Sequence, residues 1–166
     1  MLRAWLRAGL CVCAVSFVGC GGDSRESIIS NTTTQLTEAA SSVGNIKAKI
    51  EEFVKKKEAK DEEGAKKELD EAVAEAKKLK EVAKVMQNLS TQANARTPPT
   101  PEEKKVLLEK YQNRINDTQG ELKNAHREMK RALDEAKKKY EEAMAPLIQA
   151  INDAEGEFAA TVSHRK

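Results

Sequence analysis

The sequence predicts an all-α protein built from long antiparallel helices, and three observations support this prediction. Of its 166 residues, 34% are charged and only 4% are aromatic, and a composition rich in Ala, Glu, Lys and Leu is typical of long helices and coiled coils. Apolar residues recur every three or four positions, which is the period of a helix face. The length suits one domain with a modest core. We therefore expect a three-helix bundle that runs up, down and up, with a two-helix coiled-coil hairpin as the alternative.

The first 19 residues have the pattern of a secretory signal peptide. Residues 1–7 are short and positive, and residues 8–19 form an apolar run that is about 18 Å long as a helix, too short to cross a bilayer. Arg3 and Arg7 also account for the formal net charge of +2, because residues 1–20 contain no acidic residue. Nucleic-acid binding is therefore not expected, since it requires Lys and Arg gathered on one face.

The next segment, Ser16-Phe17-Val18-Gly19-Cys20, resembles the lipobox of bacterial lipoproteins, with Phe17 in place of the usual Leu. In that family a peptidase cuts before the cysteine, which then carries the acyl chains. The resemblance implies cleavage between Gly19 and Cys20, lipid on Cys20, and anchoring in a bacterial envelope membrane facing the periplasm. In some bacteria an Asp directly after the lipidated cysteine is associated with retention in the inner membrane. This position is Gly21 here, which favours the outer membrane. Residues 20–35 are predicted to form the lipidated cysteine and a flexible tether, and residues 36–166 the helical coiled-coil domain.

The first helix is predicted for about 27–57, with a core face of apolar residues at helical spacing. These residues are Leu36, Ala39, Val43, Ile46, Ile50 and Phe53. The pattern stops after Phe53 and resumes at Ala65, one residue out of phase. A turn within 57–64 explains the break, and one continuous helix with an eleven-residue step is the alternative. We favour the turn, which starts a second helix, predicted for about 62–95.

A proline-rich segment separates the second helix from the third. Pro98 and Pro99 cannot continue a helix. Thr100 is a good N-cap, Pro101 suits the first helical position, and Glu103 completes a capping box. A third helix is therefore expected to begin at residue 101.

The third helix is predicted for about 101–162. Its first part keeps the 3.5-residue step of a left-handed coiled coil, including Ala125, Met129 and Ala132. Pro146 is expected to kink it near Glu142.

The sequence suggests no catalytic, cofactor or metal site, so an enzyme is not expected. His126 lies beside the apolar stripe, has no metal-ligand spacing around it, and is expected to be exposed. Because so long a third helix could extend beyond the other two, its last part is a candidate surface for self-association or for a helical partner protein. The residues of this predicted partner-facing surface are Tyr140, Leu147, Ile151 and Phe158.

Two further resemblances concern the envelope. The chain is similar in architecture and in its last two residues, Arg165 and Lys166, to the murein lipoproteins, in which the terminal lysine is joined to peptidoglycan. This implies peptidoglycan as a candidate partner through Lys166, with an ordinary basic helix end as the alternative. Residues 23–133 also resemble a largely uncharacterised group of short coiled-coil bacterial lipoproteins that share a Thr-Pro-Glu-Glu turn and a following Glu-Lys-Tyr, here Glu109-Lys110-Tyr111. We expect a lipid-anchored spacer, scaffold or adaptor, or alternatively a periplasmic binding or chaperone-like module.

Overall fold

A computed structural model describes residues 24–95 and 97–163, and it confirms the all-α class. These residues form the three helices α1 (Arg25–Glu58), α2 (Glu62–Asn94) and α3 (Pro101–Ser163). Each helix packs against the other two, so the three-helix bundle is favoured over the two-helix hairpin. The observed bounds lie within two residues of those expected from the sequence. Within the described ranges, no helix combines the length and the apolar content needed to cross a membrane.

α1 begins at Arg25, so the prediction of a flexible tether reaching residue 35 is wrong for residues 25–35. Ser24 caps the helix, its hydroxyl accepting a hydrogen bond from the Ser27 amide at 3.1 Å. The hydroxyl groups of Thr32 and Thr33 donate to the carbonyl oxygens four residues earlier, at 2.7 and 2.8 Å. Both threonines are fully buried. Their side chains are thus satisfied by the helix itself, and burial of this face outweighs their weak helix propensity.

The predicted turn between the first two helices is confirmed, and it consists of residues 59–61. Lys60 has a left-handed backbone with φ of 60°, its amide bonds the carbonyl of Lys57, and the Asp61 amide bonds that of Lys56. This pair of hydrogen bonds is a Schellman motif, which usually has glycine at the Lys60 position. Asp61 then caps α2 by accepting a hydrogen bond from the Gly64 amide at 2.9 Å. We call this end of the bundle the tip.

The capping box at the start of α3 is also confirmed. The Thr100 hydroxyl accepts a hydrogen bond from the Glu103 amide at 3.2 Å, and the Glu103 carboxylate accepts one from the Thr100 amide at 3.0 Å. Arg25 joins this turn to the start of α1 by donating to Glu103 and, at 3.3 Å, to the carbonyl oxygen of Thr97. These contacts bring the start of α1, the end of α2 and the start of α3 together at the opposite end of the bundle, which we call the base.

α3 reverses direction at Tyr140, which the sequence did not predict. Tyr140 alone has non-helical backbone angles within α3, with φ of −139° and ψ of 46°. His126 Nε2 and Glu155 Oε1, on either side of it, are 3.2 Å apart, whereas 29 residues of straight helix would span about 43 Å. Residues 101–139, the first arm, and residues 141–163, the second arm, are therefore antiparallel. The first arm runs from base to tip beside α1, and the second arm runs back towards the base.

The expected kink near Glu142 is thus a full reversal two residues earlier. Pro146 removes one backbone donor and crowds the carbonyl of Glu142, which weakens the helix just after Tyr140. Packing of the second arm onto the bundle then supplies the buried area that a straight helix would lack. Lys80 of α2 lies 3.6 Å from Asp153 of the second arm, so this arm fills the space between α2 and the first arm.

The core changes along the length of the bundle. From the tip to the middle, four helical segments enclose one continuous cluster of buried apolar side chains. At the base only three segments are present, since the second arm has 23 residues against 39 in the first. Here Ile28 packs with Leu89 and Ala93, and Ile29 with Leu107 and Ile115.

Candidate functional site

The structure does not describe three of the residues that the sequence singled out. Gly19, Cys20 and Lys166, the predicted cleavage, lipidation and peptidoglycan positions, lie outside the described ranges. Lipidation and cross-linking therefore stay predictions from the sequence.

The predicted partner-facing surface is wrong, because its residues belong to the core. Leu147, Ile151 and Phe158 have no exposed surface. Tyr140 is half-buried, with its ring edge-on to that of Phe53 at a centroid distance of 5.5 Å. The physical reason is the reversal at Tyr140, which turns the apolar stripe of the second arm inward.

His126, expected on the surface, is instead buried between the two arms of α3. Only 3% of this residue and 5% of Glu155 are exposed. Glu155 Oε1 lies 3.2 Å from His126 Nε2 and 2.9 Å from Lys130 Nζ. We call His126, Lys130 and Glu155 the ionic cluster, and it is the most enclosed set of titratable side chains among the described residues.

The ionic cluster favours the charged form of its carboxylate. Burial raises the pKa of Glu155, but hydrogen bonds from His126 and Lys130 lower it more, so the net pKa is below the usual 4.5. The second oxygen, Oε2, is buried and has no hydrogen-bond partner within the described part of the chain. A single buried carboxylate oxygen thus carries both polar contacts, and the cluster depends on the close approach of the two arms.

The seam of the first arm, meaning its buried apolar face, is displaced by one residue at alternate positions from the predicted one, which explains why His126 was expected on the surface. The positions Ala125 and Ala132, predicted to lie on the seam, are half-buried, whereas His126 and Leu133 are buried. The predicted and the observed seam share Leu122 and Met129, and each repeats with a mean step of 3.5 residues. The apolar pattern fits either phase, so the spacing of the apolar residues gave no signal that His126 is buried.

The chemistry available to the ionic cluster is electrostatic pairing. An imidazole, an amine and a carboxylate can hold charge and fix the relative position of the two arms. No group of three His, Cys, Asp or Glu side chains in the described ranges is arranged to hold a metal ion.

A second candidate site is a groove of about 720 Å³ between α1 and the first arm. Its floor is apolar and its rim is charged with both signs. The floor residues are Ile50, Val54, Ala132 and Ala136, and the rim residues include Lys47, Glu51, Lys55, Glu128, Arg131, Glu135, Lys138 and Lys139. Lys47 bonds Glu128 across the groove at 3.2 Å, and this pairing raises the pKa of Lys47. Since only 1% of Ile50 and of Ala136 is exposed, the accessible apolar surface of the floor comes from the half-buried Val54 and Ala132.

Comparisons with known proteins give no relative from which a function could be inferred. The chain matches no protein-family model, no curated protein and no solved structure.

Proposed function

We propose that this chain is a lipid-anchored bacterial envelope protein that acts as a structural spacer or scaffold through its helical surface, without catalysis. The observation that carries this proposal is the lipobox-like segment Phe17-Val18-Gly19-Cys20 after an apolar signal-like run. Lipid on Cys20 with two or more acyl chains would hold the protein stably at a membrane, because a single chain binds only marginally.

The position of α1 supports a spacer role. Since α1 begins at Arg25, only residues 21–24 separate Cys20 from the bundle, and four residues span at most about 14 Å. With lipid on Cys20, the base would therefore lie close to the bilayer surface. α1 has 34 residues, about 51 Å as a helix, so the tip could present its side chains roughly that far from the membrane.

The outer surface of the rod is suited to solvent and to polar contacts with other proteins. Exposed pairs of opposite sign join the helices, such as Lys110 with Glu26 at 3.0 Å and Lys139 with Glu58 at 2.8 Å. Such pairs contribute little to stability individually, but they keep the surface charged and balanced. An adaptor for protein partners in the periplasm fits this surface.

The test is the chemical state of the N-terminus. Intact-mass spectrometry of the protein from its native membranes should show a chain that begins at Cys20 and carries acyl chains. The Cys20→Ser variant should stay uncleaved or leave the membrane fraction, with Ser16→Ala as a matched control that keeps the cysteine. An unmodified N-terminus, or cleavage at another bond, would contradict the proposal.

A periplasmic binding or chaperone-like module is the second candidate function, and the groove between α1 and the first arm favours it. Its apolar floor and charged rim are the features expected of a site for extended or helical clients. Val54→Lys would place a charge on the floor and should abolish client binding in pull-down and sedimentation experiments. A compact monomer that binds no client before or after the substitution would remove this candidate.

Peptidoglycan attachment through Lys166 is a separate proposal, supported by the similarity to the murein lipoproteins. Muropeptide analysis should find the C-terminal peptide linked to peptidoglycan. Deletion of Lys166 should remove that link, whereas Arg165→Ala should keep it. A free C-terminus in all of the envelope-bound protein would argue against the link.

A further inference from the structure

The reversal of α3 takes place in a sequence that is well suited to a straight helix. Residues 133–139 and 141–145 are Leu-Asp-Glu-Ala-Lys-Lys-Lys and Glu-Glu-Ala-Met-Ala, most of which favour the helix. Neither flank contains glycine, and a single residue, Tyr140, departs from helical geometry. Helical hairpins usually need a loop of two to five residues. By the intrinsic propensity of its residues, the segment that forms the tight reversal is therefore also suited to a continuous helix.

The second arm cannot be left uncovered when the segment straightens. Five apolar side chains of this arm have no exposed surface, namely Met144, Leu147, Ile151, Ala154 and Phe158. Exposure of such a continuous stripe to water is strongly unfavourable. An open arm thus needs a surface equivalent to the one that it leaves.

A second copy of this chain has the same surface for the second arm, and the arm can enter it running from tip to base. In the closed molecule the second arm starts at the tip and runs towards the base. When two bundles meet tip to tip, a straight α3 would leave its own tip and enter the partner bundle along this same direction. Each arm would then occupy the site vacated by the other, and the arrangement is closed by a two-fold axis.

The ionic cluster and the contact to α2 would be restored between copies. Glu155 of one chain would meet the partner's His126 and the partner's Lys130. Asp153 would likewise meet the partner's Lys80, with which it pairs at 3.6 Å in the closed molecule. Because a buried carboxylate without partners is costly, these pairs would select the register of the exchanged arm.

We propose that the second arm exchanges between two copies of this chain, forming a tip-to-tip domain-swapped dimer with Tyr140 as its hinge. This inference rests on the described contacts and not on lipidation, and lipid on Cys20 would place the two anchors at opposite ends of the dimer. The dimer would be a rod about 100 Å long, twice the length of α1.

Hinge variants of residues 21–166, which include every described contact, test the proposal. Light scattering coupled to size exclusion should show a monomer–dimer equilibrium for the unsubstituted chain. Insertion of four Gly/Ser residues after Tyr140 relaxes the turn and should reduce the dimer fraction at least tenfold at equal concentration. Tyr140→Ala favours the straight helix and should increase it, and the same Gly/Ser insertion in the Lys60 turn serves as the control.

Zero-length cross-linking identifies which copy supplies the arm. Equal amounts of ¹⁴N- and ¹⁵N-labelled chains are refolded together, treated with a carbodiimide, and analysed for the Lys80–Asp153 and Lys130–Glu155 cross-links. In the dimer fraction half of these cross-linked peptides should be isotopic hybrids, and in the monomer fraction none should be. A dimer with only same-isotope cross-links would overturn the proposal. It would also be overturned if the unsubstituted chain and the Tyr140→Ala variant both fold but stay monomeric at all concentrations.

Discussion

The substitution Leu147→Ala tests directly whether the second arm of α3 is part of the core. Leu147 lies in the part of this arm nearer the tip and has no exposed surface. The substitution removes three carbon atoms, and at about 0.8 kcal/mol for each buried CH₂ group this loss amounts to about 2.4 kcal/mol. The cavity that remains adds to the cost, so we expect the free energy of unfolding to fall by about 3 kcal/mol.

Urea unfolding of residues 21–166, followed by far-ultraviolet circular dichroism, measures this difference. A natural domain has about 5–15 kcal/mol of stability, so the variant should remain folded, with an unchanged dependence of the free energy on urea concentration. Asn152→Ala, at an exposed position of the same arm, is the matched control and should change the free energy by less than about 0.5 kcal/mol.

The result distinguishes two arrangements of the arm. If Leu147 lay on a protruding partner-facing surface, both variants would behave alike. A loss of less than about 1 kcal/mol for Leu147→Ala would therefore refute the folded-back arm.

Three further substitutions test the turns and the ionic cluster. Lys60→Gly should raise the free energy of unfolding by about 0.5–1 kcal/mol, because Gly adopts the left-handed backbone without the Cβ clash. Equal free energies of unfolding in urea for Lys60→Gly and Lys60→Ala would contradict this. Thr100→Ala should lower it by about 1 kcal/mol through loss of the N-cap, and an unchanged urea midpoint would argue against the capping box. The lowered pKa of Glu155 means that its carboxylate stabilises the fold above its unfolded pKa of about 4.5, and that this contribution is lost as the pH falls through the folded value. At neutral pH, Glu155→Gln should therefore have a lower free energy of unfolding than the exposed control Glu121→Gln. On acidification, Glu155→Gln should lose less of that free energy than the control does. Equal pH profiles for the two variants would exclude a stabilising role of the Glu155 carboxylate.

The sequence was most informative where local chemistry decides the structure. Helix caps and breakers act over three or four residues, so Thr100 with Glu103 and the pair Pro98-Pro99 located the start of α3 correctly. The turn before α2 was detected through the change of apolar phase after Phe53. In both turns the capping hydrogen bonds are formed within one short segment of the chain.

The reversal at Tyr140 could not be predicted from the sequence because no local interaction requires it. The residues around it favour a helix, and only burial of the second arm against α2 and the first arm selects the reversed form. The tether prediction failed for the same reason, since Thr32 and Thr33 are weak helix formers that tertiary packing holds in α1. His126 was misplaced because a 3.5-residue pattern in an Ala-rich segment is compatible with two neighbouring phases.

The ionic cluster is better explained by specificity than by added stability. A buried ion pair often contributes no more than apolar residues of similar volume, whereas breaking one is costly. The seam of the arms contains small, similar side chains such as Ala136 and Ala154, which could pack in several registers. A shift of the second arm by one helical turn in either direction would separate Glu155 from His126, and a shift towards the base would also take it away from Lys130. The complete set of contacts is therefore formed in one register only, and it favours that position of the second arm whether its own chain or a second copy supplies the arm.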